Sequence, residues 1–206
     1  MSSLRFLWVV IPYVCVFLGI IVLHSGWGAL IGFHLGLMPV LILNWRVVSR
    51  SVFVPVAWHK LWPVATSGFI AGPGLWLLWI CFGVPPEFQL KVASLGLAGA
   101  NWPIFIAYFT IVNPWLEEAF WRGILTSPSR YPAMIDFLFA GYHLIILSMF
   151  VGLAWMMFAF VVLSTAGWLW RRVSRYTHSL LPAVLAHMLA DLTILCVLYR
   201  FAVYPL

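Results

Sequence analysis

The chain alternates long apolar runs with short polar breaks. A run of about 20 apolar residues is what a helix needs to cross a bilayer. Residues 4–24 form the first such run, after a single Arg5, and 27–45 the second, with His24, Ser25 and Gly26 as the turn between them. The first run is longer than a signal-peptide core and no A-x-A-like site follows it, so a span is expected rather than a cleaved leader. A loop with Arg46, Arg50, His59 and Lys60 leads to a third span at 64–83, whose G-P-G at 72–74 predicts a kink. Pro85, Pro86, Glu87 and Lys91 make the next turn. Residues 92–103 are mildly apolar and rich in Gly and Ala, and read either as an interfacial helix or as the start of the fourth span. That span covers 104–125; Pro114 removes a backbone donor inside it, which predicts a widening toward a cavity. After T-S-P-S-R-Y-P at 126–132, the apolar block 134–170 is too long for one span and divides near 150–152. Arg171, Arg172, Arg175 and His178 close it, and a last span covers 179–200.

The expected fold is an all-α integral membrane protein. It has about seven transmembrane helices and a polar active-site cavity formed by the C-terminal spans. Composition agrees: 65% of the 206 residues are hydrophobic and 8% charged, with a mean hydropathy of +1.06. A soluble domain carries roughly 25% charged residues. The expectation is one membrane domain, with N-terminal helices at 1–103 and a functional core at 104–206. Some of the thirteen Trp should form interfacial belts. Cys15, Cys81 and Cys196 lie far apart in apolar runs and read as small buried hydrophobes, not as a disulfide or metal framework.

The formal charge of +6 could suggest a nucleic-acid partner, but the cations sit at span ends, where topology explains them and no nucleic acid is implied. With the N-terminus cytoplasmic, Arg5, Arg46, Arg50, Lys60, Arg130, Arg171, Arg172 and Arg175 fall inside, against Lys91 and Arg200 outside. This orientation puts the end of the fourth span in the inner half of the membrane, with a site opening toward the cytoplasm.

Two of the chain's five acidic residues, Glu117 and Glu118, are adjacent in that span, in N-P-W-L-E-E-A-F-W-R-G-I-L. Ionisable groups at membrane depth call for a partner or a function. Glu118 and Arg122 are four apart, with Glu in the favourable N-terminal position for an ion pair. Glu117 points about 100° away around the helix and must look to another helix for its partner. His143, His187 and Asp191 are further polar groups inside apolar segments, the last two four apart on one helix face. His34 reads as a packing or cavity residue rather than a ligand. Each group alone could be satisfied by packing. Together, on three helices of a chain this poor in charge, Glu117, His143, His187 and Asp191 are expected to converge.

That set suits hydrolysis. A carboxylate in an apolar pocket can act as a general base on water near neutral pH, a neighbouring His can orient the water, and a second His can donate to an oxyanion. No cofactor is required for this, although Glu, His, His and Asp would also ligate a divalent metal such as zinc, and spacing does not separate the two routes. H-E-x-x-H and G-x-S-x-G are absent. An aspartyl dyad would need Asp136, at a span end, with Asp191.

E-E-x-x-x-R at 117–122, F-x-x-x-H at 139–143 and H-x-x-x-[ND] at 187–191 occur in order. They resemble the three motifs of the CPBP family, the type II CAAX prenyl endopeptidases and their bacterial relatives in bacteriocin processing and immunity. Gly123 after the Arg, and T-H-S-L-L-P-A-V-L-A-H before His187, resemble the family's flanking patterns. The likeness covers about 113–195; residues 1–100 contribute only spans. It implies a glutamate-dependent intramembrane endopeptidase in a bacterial or archaeal cell membrane. Glu117 would activate water with His143 beside it, Glu118 and Arg122 would hold the helix, and His187 and Asp191 would complete an oxyanion site. An older proposal for the family is a metalloprotease, so the metal stays open. The substrate would be a peptide or protein, prenylated or membrane-bound, and nothing in the chain favours prenylation.

Three positions depart from the family pattern. Asp191 stands where many members have Asn, and an ionised Asp cannot donate a hydrogen bond. Trp121 replaces the common Phe, and His178 the common Gly. The alternative function is a non-catalytic membrane interaction or immunity protein that keeps the polar cluster for packing. A proton-coupled transporter is disfavoured, since no paired discontinuous helices occur in corresponding halves.

Overall fold

The computed structural model describes residues 7–52 and 54–204. Arg5, and with it the start of the first expected span, lies outside the described residues. The protein is all-helical: 80% helix, with no strand among the described residues. Helix α1 (Val10–Phe17) runs on into a π-helical turn, Leu18–Val22. Ser25 then caps α2 (Gly26–Leu43), its Oγ accepting from the Gly28 N–H at 2.9 Å. A short α3 (Trp45–Val52) leads to α4 (Trp58–Phe69) and α5 (Ala71–Phe82). The break between α4 and α5 has a local cause. Pro73 has no N–H to return to the carbonyl one turn earlier, so the regular helix is interrupted by a single turn residue, Ile70, just before the G-P-G sequence.

Residues 92–103 are divided between two helices and the turn that joins them. A short α6 (Phe88–Ser94) ends in a turn with Gly96 and Gly99 at positive φ, and α7 (Asn101–Glu118) starts after it. α7 continues as a π-helix, Ala119–Ile124. The helix does widen, but from residue 119 onward rather than at Pro114 itself. The long apolar block divides where expected, into α8 (Met134–Leu147) and α9 (Leu153–Thr177). α9 extends past the expected end at 170, and α10 (Leu181–Val203) closes the chain.

Among the described residues, four helices are long and apolar enough to cross a membrane: Gly26–Leu43, Trp58–Cys81, Leu153–Thr177 and Leu181–Val203. Val10–Val22 and Met134–Leu147 are apolar but shorter. The 14 residues of α8 reach about 21 Å at 1.5 Å per residue, short of a hydrocarbon core of about 30 Å. The helix carrying Glu117, Glu118 and Arg122 is not among the four. Large apolar side chains such as Leu35, Ile42, Leu43, Phe69, Ile70, Leu77 and Leu153 face outward, as a lipid-facing surface would have them.

α10 is the hub, packing on α4, α5, α7 and α9. Its contact with α4 is intimate: a Cβ at Gly68 would run into the Ala186 carbonyl. At one end of the molecule, the Leu180 N–H donates to the Ser51 carbonyl (3.0 Å), Ser179 Oγ to the Val54 carbonyl (2.8 Å), and Lys60 lies over the Tyr176 ring. At the other end, Gln89 donates to the Phe201 carbonyl at 3.0 Å, so Lys91 and Arg200 sit together, away from the other cations.

Candidate active site

Glu117 and Glu118 end the regular part of α7, both buried. Adjacent residues of a helix point about 100° apart, yet one ring serves both carboxylates. His187 of α10 places Nδ1 2.9 Å from Glu118 Oε1 and Nε2 3.4 Å from Glu117 Oε2. Arg122, one turn on and inside the π-helix, donates to the same Glu118 Oε1 at 3.1 Å. Because that carboxylate accepts from Arg122, the His187 Nδ1 must be the donor toward it. Asp191 Oδ1 lies 3.5 Å from His187 Nε2, which therefore faces two carboxylates at once.

Aromatic rings hold these charges in place. The Arg122 guanidinium stacks over Phe139 at 3.9 Å and reaches the Trp170 ring at 5.4 Å. Trp170 lies nearly parallel to His187, 4.7 Å between centroids. The space is made by Gly167 of α9, where a Cβ would stand 3.0 Å from Phe139 Cδ1 and 3.1 Å from Arg122 Nη2.

The structure brings five of the six expected residues into one contiguous cluster: Glu117, Glu118, Arg122, His187 and Asp191. His143 stands at its margin. It is half-buried, its Nδ1–H donates to its own helix's Phe139 carbonyl at 2.8 Å, and it makes no hydrogen bond with Glu117. The residue that does bond Glu117 is its neighbour Tyr142, whose hydroxyl donates to Oε1. The ring of His143 packs on Tyr142, 4.0 Å between centroids. The carboxylate hydrogen-bonded to His187 is likewise Glu118, not the sequence neighbour Asp191. Sequence reasoning passed over Tyr142 because a Tyr in an apolar run carries no charge to signal a need for a partner. It also passed over Asp136 and Arg171 as a pair. Arg171 Nε and Nη2 grip Asp136 at 2.8 and 2.6 Å, both side chains buried.

No group of three His, Cys, Asp or Glu among the described residues is arranged to hold a metal ion. The donors that spacing offered are turned toward one another, with Glu118 spent on Arg122 and His187.

Membrane-length apolar helices around a buried carboxylate–imidazole centre point to an integral membrane protein. Residues 99–193, a little under half of the chain, match the model of the family described as Type II CAAX prenyl endopeptidase Rce1-like. That is a protease family, which supports an endopeptidase acting on a peptide or protein. The matched segment begins just before α7 and ends inside α10, so it contains all six residues expected from the motifs. No curated protein and no solved structure matches the chain.

Proposed function

We propose that this protein is an intramembrane glutamate-type endopeptidase in which Glu117 activates the attacking water. One observation carries the reading. Glu117 is buried, its Oε1 is held by the Tyr142 hydroxyl, and its Oε2 is aimed at His187 yet makes no hydrogen bond. A buried acceptor held in place and left unsatisfied calls for a reason; a reacting water would supply its missing donor. In the proposed step Oε2 takes a proton from water as the water oxygen bonds to the scissile carbonyl carbon. The C–N bond then breaks and Glu117 returns the proton to the leaving amine. His187, held by Glu118, stabilises the charge on Glu117. Glu118 and Arg122 keep the π-helical turn in register, and His143 lines the approach with its Nε2 free.

The site is read as opening toward the cytoplasm, with the N-terminus on that side, in a single membrane domain. Supporting this, the segments with Arg46, Arg50, Lys60, Arg130 and Arg171–Arg175 gather at one end of the bundle, opposite Lys91 and Arg200, as a cytoplasmic bias of cations requires. Substrates are peptides or membrane proteins, with prenylation as a variable to be tested.

A packing-only role has one observation in its favour, the engagement of Glu118 by both Arg122 and His187. Glu117→Gln separates the two readings. With purified protein in detergent and a mass-spectrometric assay of farnesylated and unmodified peptides, the variant should lose about 10³-fold in kcat while accumulating normally. Cleavage equal to wild type would leave the cluster a packing device.

A further inference from the structure

The Glu–His–Asp cluster has a neighbour that comes from outside the segment with family likeness. His34 of α2 is buried, with Nδ1 3.1 Å from the Tyr108 hydroxyl and Nε2 3.2 Å from Asn113 Oδ1. The direction of each bond follows from the groups. Asn113 Oδ1 can only accept, so His34 Nε2 carries the proton; in the neutral ring Nδ1 is then a lone pair and Tyr108 donates to it. Asn113 is itself buried and sits one helical turn before Glu117, on the same face of α7. With its oxygen drawn toward α2, its amide nitrogen is turned the other way, where one N–H meets the Asp191 carboxylate of α10 and the second remains for another acceptor.

This corner of the site is rich in acceptors. Glu117 Oε2 and Asp191 Oδ2 are both buried without a hydrogen bond. Of the donors nearby, the Tyr142 hydroxyl serves Glu117, His187 Nδ1 and Arg122 Nη1 serve Glu118, and Arg122 Nη2, though unbonded, lies against Gly167 of α9. Attack on a peptide carbonyl pushes an electron pair onto its oxygen, and an anion forming beside two carboxylates needs a preorganised donor. The NH₂ of Asn113 is the neutral donor on this face of α7 that has its oxygen fixed and its hydrogens turned toward the site.

Resting on the peptidase reading, we propose that Asn113 is a further catalytic residue, donating an amide N–H to the substrate's carbonyl oxygen, and that His34 is the positioning residue that holds it. As the water oxygen bonds to carbon, the carbonyl π pair moves onto the oxygen bound by Asn113. When the C–N bond breaks, the pair returns and the amine leaves with the proton held by Glu117. The N-terminal helices thus contribute to the site.

The test compares wild type, Glu117→Gln, Asn113→Asp, Asn113→Ala, His34→Leu and His34→Gln on the best-cleaved peptide of the farnesylated and unmodified library. Asn113→Asp keeps the shape and the acceptor for His34 but removes the amide donor. Both Asn113 variants should lose about 10²-fold in kcat with KM little changed. His34→Leu should lose about tenfold, and His34→Gln, which retains an N–H donor, should recover most of it. If both Asn113 variants cleave within twofold of wild type while Glu117→Gln is inactive, this proposal is wrong and the peptidase reading stands. If wild type cleaves no better than Glu117→Gln, both fall together. Nitrogen NMR of the histidine rings needs no substrate: the His34 Nε2 resonance should move in Asn113→Ala, and an unmoved resonance would refute the pairing.

Discussion

Two carboxylate–guanidinium pairs are buried among the described residues, and they differ in how completely they are satisfied. Arg171 of α9 makes a two-point contact with Asp136 of α8, and its remaining N–H groups donate to the carbonyls of Ser127, Ser129 and Tyr131 at 3.2, 2.6 and 2.9 Å. Asp136 Oδ2 also accepts from the Ala133 N–H at 2.8 Å. No side-chain atom of either residue is left without a partner. The Glu118–Arg122 pair, by contrast, is surrounded by orphans: Glu117 Oε2, Glu118 Oε2, Arg122 Nη2 and Asp191 Oδ2 are all buried and unbonded. A fully satisfied network rigidifies, whereas a partly satisfied one is costly to keep. The first pair fastens the loop between α7 and α8 to α9. The second keeps unspent hydrogen-bonding capacity, as the proposed substrate and water site would need.

The contrast can be broken from either side. Apart from Glu117→Gln, the largest effect should come from Arg171→Met, which strands Asp136 in the interior and releases three loop carbonyls. It should destabilise the protein by about 3–5 kcal/mol, read as a fall in Tm in detergent, and Asp136→Asn added to it should recover part of the loss. Tyr142→Phe attacks the other region. The ring stays against Trp121, 5.8 Å away and parallel, but Glu117 Oε1 loses its donor. The expected loss is about 10- to 100-fold in kcat, with a smaller change in Tm than Arg171→Met gives. Gly167→Ala should push Phe139 and Arg122 by a few tenths of an ångström, costing about 1–2 kcal/mol, with activity falling more than stability. A Tm drop without an activity change would show that the guanidinium tolerates displacement.

His178→Gly should do least. His178 closes α9 in the left-handed conformation, with φ 54, a backbone that favours glycine. The substitution should leave cleavage unchanged and raise stability by up to about 1 kcal/mol. That backbone also gives a physical reason for the common Gly at this place in the family motif. Here His178 caps the C-terminus of α9.

Much of the fold was legible because lipid-length apolar runs and their punctuation are local. α2, the break before Pro73, the division of the long apolar block and α10 all lie close to where hydropathy and Pro or Gly put them. The ends of α8 and α9, and the short α6, were less legible, since packing and capping decide where a helix stops. For the site, motif spacing identified Glu117, Glu118, Arg122, His187 and Asp191, because charge inside apolar sequence stands out. The Glu118–Arg122 pair was readable in advance, being a property of one helix.

By itself the sequence determined the helical class, most of the helix positions, the segregation of cations and the roster of charged residues in the cluster. These follow from short-range rules: hydrocarbon length, helix period and the cost of burying charge. Only the tertiary structure decided which groups meet. It gave His187 to Glu118 as well as to Glu117, Tyr142 rather than His143 to Glu117, Arg171 to Asp136, and His34 to Asn113. Each of these is a contact between different helices, and hydrogen-bond partners across helices are set by crossing angles and close packing that no spacing along one helix encodes.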